Sequence, residues 1–131
     1  MKIYFAHPVS DYNTTKEKVD EREIKEKFEG CVILNPNGKV HSDKYKEEGM
    51  AYFEKIVKEC DAAVCVPFRD GEWGMGVWRE AESMAQKQGK TYELHKGCIK
   101  EVDFKDIRPL SINETKKRVK KETEENKEKE F

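Results

Sequence analysis

Residues 60–90 read CDAAVCVPFRDGEWGMGVWREAESMAQKQGK, which is an apolar run followed by a turn and then by a helical pattern. The run AAVCV at 62–66 has no polar alternation, which is typical of a strand covered on both faces in a parallel sheet. Val77, Ala81 and Met84 recur at helical spacing, and Gly89 is suited to end that helix. The stretch therefore predicts a strand and a helix joined by a turn rich in charged, aromatic and glycine residues.

Further strands are predicted at 2–6 (KIYFA), 31–34 (CVIL), 90–95 (KTYELH) and 98–102 (CIKEV). A first helix, capped by Ser10 or Asp11, should end near Gly30, with Val19, Ile24 and Phe28 as its apolar face. A second has an apolar stripe made of Met50, Phe53, Ile56, Val57 and Cys60. This alternation predicts an α/β fold, a single Rossmann-like (flavodoxin-type) doubly wound parallel sheet of four to five strands flanked by helices, in residues 1–110.

Composition narrows the class of protein. The chain has 131 residues, with 26 basic against 27 acidic side chains, so no bulk charge favours a membrane surface or a long nucleic acid. The four cysteines form no CxxC pair and no Cys/His cluster, so no zinc site is expected. We also expect no cofactor. Apolar runs are short, and nothing resembles a signal peptide or a membrane span. The expectation is a reduced, cytoplasmic protein.

The C-terminal segment, residues 111–131, differs in character from the rest. Ser111 and Glu114 form a capping-box pattern, and Val119 is the only aliphatic residue in a largely charged stretch from residue 113 onward. Two interpretations stay open: a charged helix that docks its first turns and then frays, or a solvated tail.

A ligand site is expected between the first and third strands. In an open parallel sheet, ligands bind beyond the carboxyl ends of the strands where the winding direction switches. The two loops there read HPVSDY and PFRDGEWGMG. They pool His7, Pro8, Ser10, Asp11, Phe68, Arg69, Asp70, Glu72 and Trp73 with Gly76 at the start of the following helix. The glycine spacing is not a dinucleotide fingerprint, and the chain has neither a P-loop nor a G-x-S-x-G nucleophile elbow.

Glu80 is the candidate for covalent chemistry. The sequence suggests that it lies on the first turn of its helix, where the helix dipole would keep it ionised. A positioned carboxylate can attack an anomeric carbon, and the preceding glycines allow close approach of a substrate. The alternative is that Glu80 only complements the helix dipole, as many first-turn glutamates do.

The other candidates each have a second interpretation. Asp70 and Glu72 are the candidate proton donors, while Glu82, two positions after Glu80, is expected to be a surface charge. Phe68, Trp73 and Trp78 are candidates to stack on a base, or they are core and loop-anchoring aromatics. His7 either hydrogen-bonds a ligand or has a structural role.

These residues together resemble the nucleoside 2-deoxyribosyltransferase-like family. The pattern consists of IY-x-(A/G)-x-P at the first strand, D-x-x-V at the third strand and G-x-x-x-E…A…GK along the next helix. The matching residues are Ile3, Tyr4, Ala6, Pro8, Asp61, Val64, Gly76, Glu80, Ala85, Gly89 and Lys90. The resemblance covers roughly residues 2–95, about three quarters of the chain.

The resemblance implies cleavage of a nucleoside N-glycosidic bond without a metal. Glu80 would be the nucleophile that forms a 2-deoxyribosyl ester, which is passed to another base or to water, and Tyr4 would hold its carboxylate. Members are usually oligomers whose neighbouring chains complete the site, so a homo-oligomer is expected. The expected partner is a small-molecule nucleoside or nucleotide.

Two departures from the family pattern keep other functions open. Gly74 and Phe53 stand where typical transferases carry acids, and Asp70, Glu72 or Glu54 would have to replace them. One alternative is a nucleoside 5′-monophosphate N-glycosidase, with Arg69, Arg79 or Ser10 meeting the phosphate. Another is a non-catalytic protein that binds or sequesters a nucleotide. A third is a protein-interaction module that uses the charged C-terminal helix.

Overall fold

A five-stranded sheet forms the centre of the protein, for which a computed structural model describes residues 1–129. The strand order is β2-β1-β3-β4-β5. The first four strands run parallel and β5 pairs antiparallel with β4. The strands are β1 (Lys2–Ala6), β2 (Val32–Leu34), β3 (Ala62–Cys65), β4 (Lys90–His95) and β5 (Cys98–Glu101). The Rossmann-like α/β prediction is confirmed.

Five helices surround the sheet. They are α1 (Thr15–Lys27), α2 (Lys39–Glu48), α3 (Met50–Lys58), α4 (Met75–Gln86) and α5 (Ile112–Lys129). Helix α2 was not predicted, because it buries none of its side chains and so has no apolar stripe to reveal it. Gly49, at φ +69°, separates α2 from α3 in a backbone conformation that favours glycine.

The sheet is covered on both faces, as its continuous apolar strands predict. Tyr4 and Ala6 of β1 face α3 and α4, while Ile3 and Phe5 face the side that Ile24 of α1 covers. All four residues of β3 are buried. The core is therefore two layers on either side of β1 and β3, and these two strands are held rigidly where their carboxyl ends meet.

The first helix begins later than the sequence suggests. Ser10 and Asp11 lie in a short 3-10 turn, and Thr14 caps α1 by accepting a hydrogen bond from the backbone of Glu17. Val19 was expected on the apolar face but is 36% exposed, and α1 docks mainly through Ile24. The prediction that Ser10 or Asp11 caps α1 was wrong. Asp11 instead pairs with Lys16, whose Nζ lies 3.1 Å from Asp11 Oδ2.

Helix α5 extends through the charged C-terminal segment as far as Lys129. Its capping box is present, since Glu114 N–H donates to Ser111 Oγ and Ser111 N–H donates to Glu114 Oε1. The helix does not fray after its first turns: it continues to Lys129, and Glu122 is only 4% exposed. Polar contacts hold it where apolar residues are lacking. Residues 130 and 131 of the predicted C-terminal segment lie outside the described residues.

No helix within residues 1–129 is long and apolar enough to cross a lipid bilayer.

Candidate active site

A cavity of about 680 Å³ opens at the carboxyl ends of β1 and β3, where the winding direction changes. Its walls come from the loop after β1, from α2 and α3, from the start of α4 and from α5. The size is that of an ordinary small-molecule site. Six residues selected from the sequence line it: Tyr4, His7, Pro8, Phe68, Gly76 and Glu80.

Tyr4 and Glu80 form the buried centre of this cavity. The Tyr4 hydroxyl, on the central strand β1, donates a hydrogen bond to Glu80 Oε2 on α4. Tyr4 is fully buried and Glu80 is 8% exposed. Burial and the neighbouring Glu80 raise the pKa of Tyr4 well above its usual range, so Tyr4 remains a neutral donor. The pair presents a carboxyl group held in one orientation by a phenol.

The predicted ionisation of Glu80 was wrong. Helix α4 begins at Met75, so Glu80 is its sixth residue and lies in the second turn, away from the helix N-terminus. Burial raises the pKa of Glu80 to about 8, although the hydrogen bond from Tyr4 acts to lower it. At neutral pH the Glu80 carboxyl group is therefore protonated in most molecules.

Gly76 leaves open space beside this carboxyl group. A methyl group at Gly76 would meet no other atom within 4 Å, and Gly76 lines the cavity. The absence of a side chain on the second residue of α4 thus widens the cavity on the side of Glu80.

His7 lines the cavity, but its ring is tied into the protein. The ring stacks on Phe5 with centroids 3.8 Å apart. Its Nδ1 lies 3.0 Å from the Phe5 carbonyl and its Nε2 lies 2.7 Å from Glu17 Oε2. Burial acts to raise the pKa of Glu17, but hydrogen bonds from His7, Asn13 and Asn37 outweigh it and lower that pKa. His7 therefore anchors the loop after β1, as its structural interpretation held.

Asp70 and Arg69 lie outside the cavity, contrary to the expectation that this loop would pool them with Glu80. Asp70 pairs with Arg118 of α5 at 2.5 Å and accepts the backbone N–H of Glu72. Against slight burial, these contacts lower the pKa of Asp70, which makes it a poor proton donor. Arg69 pairs with Glu125 at 3.4 Å. Neither Glu72 nor Glu54 is among the residues that line the cavity.

The two tryptophans anchor the fold instead of facing a ligand. Trp73 is 2% exposed and its indole N–H donates to Glu93 Oε2 at 2.7 Å. The Trp78 indole N–H donates to the carbonyls of Phe104 and Ile107. Ser10 is not among the residues that line the cavity. Its carbonyl accepts a hydrogen bond from Asn126 of α5. Phe68 is the aromatic side chain of this loop that lines the cavity.

Sequence reasoning missed much of the wall. Among the lining residues that were not selected are Tyr12, Asn13, Asn37, Lys39, Ser42, Met50, Thr115 and Val119. Met50 and Phe53 were assigned to a buried stripe, but α3 buries Tyr52, Ile56 and Val57 and turns these two toward the cavity. Val119 carried one signal, because it is a lone aliphatic residue among charged ones.

Neither a model of a known protein family nor a curated protein matches this sequence.

Proposed function

We propose that the protein cleaves or transfers the N-glycosidic bond of a nucleoside or deoxynucleoside, with Glu80 as the nucleophile. The observation that carries the proposal is the Tyr4–Glu80 hydrogen bond at the wall of a cavity of about 680 Å³. Glu80 is a buried carboxyl group that faces a cavity and has a single side-chain hydrogen-bond donor. This is not the arrangement of a structural ion pair, and it marks Glu80 as a candidate functional group.

The reaction requires an ionised Glu80, which is regenerated at the end of each turnover. Its carboxylate oxygen attacks C1′ of the sugar, the C1′–N bond breaks, and the base departs with the bonding electrons and takes up a proton from water. The resulting glycosyl ester is then attacked at C1′ by water or by a second base, which releases Glu80. Tyr4 donates to the second carboxylate oxygen, which fixes the attack direction and partly offsets the cost of burying the charge.

The apolar walls suit the rest of such a substrate. Met50, Phe53 and Phe68 line the cavity and offer flat or flexible apolar surface to a base and a sugar. Phe53 stands where typical transferases carry an acid, so stacking would replace a carboxylate contact to the base. We also propose, from the family resemblance, that the protein is a cytoplasmic homo-oligomer.

Chromatography of nucleoside mixtures tests the proposal. The protein is incubated with each common deoxynucleoside, with and without a free acceptor base, and base release is measured. Glu80→Gln should abolish release, while Glu82→Gln, two residues further along the same helix, should retain it. Equal release by Glu80→Gln and the unchanged protein, or silence from both, would exclude the proposal.

A nucleoside 5′-monophosphate is the second candidate substrate. Lys39 and Ser42 line the same cavity and together offer a cation and a hydroxyl to a phosphate, whereas Arg69 and Ser10 lie outside it. Comparing kcat/KM for deoxycytidine and its 5′-monophosphate decides between them, since a tenfold preference corresponds to about 1.4 kcal/mol of transition-state binding.

A binding protein without turnover is the third candidate. The raised pKa of Glu80 favours it, because a protonated carboxyl group does not attack C1′. Calorimetry that finds tight nucleotide binding, with no product at any pH from 6 to 9, would establish this candidate over the enzyme.

A further inference from the structure

Helix α5 reaches the cavity from the C-terminal part of the chain. Thr115 and Val119, one helical turn apart, both line the cavity. The segment before α5 is also fixed, since Leu110 N–H donates to the Trp73 carbonyl at 2.8 Å. The chain's own last helix thus supplies part of the wall that faces Glu80.

Thr115 makes a specific contact with the helix that carries Glu80. Gly74 occupies the N-cap position of α4 and has no side chain to cap the helix. The backbone N–H of Met75 donates instead to Thr115 Oγ1 at 3.0 Å, and the Thr115 hydroxyl donates to the Ser111 carbonyl at 2.8 Å. The hydroxyl proton is thereby directed away from Met75, and the Thr115 oxygen is free to accept.

The fit between the two elements depends on Gly74. A methyl group at Gly74 would lie 3.2 Å from Thr115 Cγ2 and 3.1 Å from the Phe68 ring. These separations are tighter than ordinary van der Waals contact. The glycine therefore allows α5 to approach closely enough for the threonine oxygen to reach Met75.

We propose that Thr115 is a positioning residue for Glu80, and that α5 is a closing element whose docking completes the site within one chain. Thr115 accepts a backbone N–H that the start of α4 leaves without an intrahelical partner, and so fixes the first turn of α4, from which Gly76 and Glu80 follow. The part of this inference that concerns Glu80 rests on the proposed function, whereas the capping itself does not.

Ion pairs contribute to the docking of α5. Arg118 pairs with Asp70 at 2.5 Å, and Arg69 pairs with Glu125 at 3.4 Å and with Glu122 at 3.8 Å. Val119 is the one aliphatic side chain that α5 contributes between Asn113 and Lys127. The pairs of Arg118 with Asp70 and of Arg69 with Glu125 are partly exposed, and such ion pairs are weak and are screened by salt. The cap on α4 should therefore loosen as ionic strength rises.

Amide hydrogen exchange measured by NMR tests the capping. Thr115→Val keeps the shape of the side chain but removes its oxygen, and Thr115→Ser keeps the oxygen. We expect exchange of the Met75 amide to be about fivefold faster in Thr115→Val and near the unchanged rate in Thr115→Ser, in line with the usual worth of a helix cap. Thr123→Val, eight residues later on α5, is the matched control and should leave Met75 unaffected. Equal Met75 exchange in Thr115→Val and the unchanged protein would overturn the capping.

Salt tests the closing element with the same readout. Raising the salt concentration from about 0.1 M to about 1 M shortens the screening length from about 10 Å to about 3 Å. Met75 exchange should quicken in the unchanged protein but not in Thr115→Val, where the cap is already absent. No salt effect in the unchanged protein would overturn the ionic closing.

The kinetic readout separates positioning from simple contact. With a turned-over nucleoside, Thr115→Val should lower kcat about fivefold with little change in KM, and Thr115→Ser should restore kcat. A loss confined to KM would contradict positioning and make Thr115 part of the cavity wall alone. If no nucleoside is turned over, the proposed function fails, while the exchange experiment still decides the capping.

Discussion

The Tyr4 hydroxyl and the Glu80 carboxyl group meet in the interior, although the two residues are 76 positions apart in the sequence. Tyr4 lies on the central strand β1, and Glu80 lies in the second turn of α4, so two rigid elements fix their relative position. A carboxyl group in this setting costs stability when it ionises.

Stability should fall as pH rises from about 4.5 to about 8. The ordinary pKa of the Glu80 side chain is 4.5 and its pKa in the folded protein is about 8, so within this window the folded state binds the extra proton. Each pH unit in the window should cost roughly 1.4 kcal/mol through this group. Urea unfolding at pH 5, 6, 7 and 8 measures the effect. In Glu80→Gln this component should vanish, whereas Glu82→Gln should keep it; parallel pH profiles for all three proteins would contradict the assignment.

Activity should rise over much of the same range. A nucleophilic Glu80 must be ionised, so kcat/KM should increase about tenfold per pH unit below pH 8 and level off above it. Initial rates of base release from pH 5.5 to 9 measure this. A kcat/KM that falls between pH 6 and 8 would instead indicate that Glu80 acts as a proton donor.

Tyr4→Phe removes the donor but keeps the ring in the core. The hydrogen bond from Tyr4 acts to lower the pKa of Glu80, so its loss should move the rising limb of the pH–rate profile to higher pH. We expect kcat/KM at pH 7 to fall about tenfold, the usual effect of losing a hydrogen bond to a charged group. Tyr92→Phe, whose ring packs edge-on against Phe28 on the other face of the sheet, is the control. An unmoved limb in Tyr4→Phe would contradict the role given to Tyr4.

Gly76→Ala tests the space beside Glu80. A methyl group there meets no other atom within 4 Å, so the fold should tolerate it, and alanine's helix propensity should keep Tm level or raise it slightly. The same methyl group should obstruct the substrate and lower kcat/KM by about tenfold or more.

Gly89→Ala provides the contrast in that experiment. Its methyl group would overlap Met84 Sδ and lie 3.1 Å from the Asp61 carbonyl, so this variant should lose stability. Thermal unfolding monitored beside kinetics separates the two cases. A Gly76→Ala protein that is fully active, or one as unstable as Gly89→Ala, would show that the open space has been misassigned.

Strands β1 and β3 could be predicted from the sequence because both are continuous apolar runs, as burial on both faces requires. The helices were less readable. Helix α2 buries no side chain, and α5 is held by charged groups, so neither carries the apolar periodicity that predicts a docked helix. The start of α4 was predicted too late in the chain. Glycines at 74 and 76 lie on either side of its first residue, Met75, and no residue type there marks a first turn.

Part of the candidate site could be predicted. Glu80 was selected from its own helix, whereas its pairing with Tyr4 was expected only from the family resemblance, and the topology brings the two residues together. Asp70 was wrongly expected in the cavity. It pairs instead with Arg118, which is 48 residues away on a helix whose docking the sequence did not reveal. Thr115 was missed for the same reason, since its contact with Met75 spans 40 residues.

The identity of the nucleophile is tested most directly by trapping it. The protein is incubated with a 2-deoxy-2-fluoro nucleoside, whose fluorine slows release of the sugar, and its peptides are then examined by mass spectrometry. We predict a single added fluorosugar on the peptide that contains Glu80, absent from Glu80→Gln and present in Glu82→Gln. Base release without any adduct, or an adduct that persists in Glu80→Gln, would contradict the account.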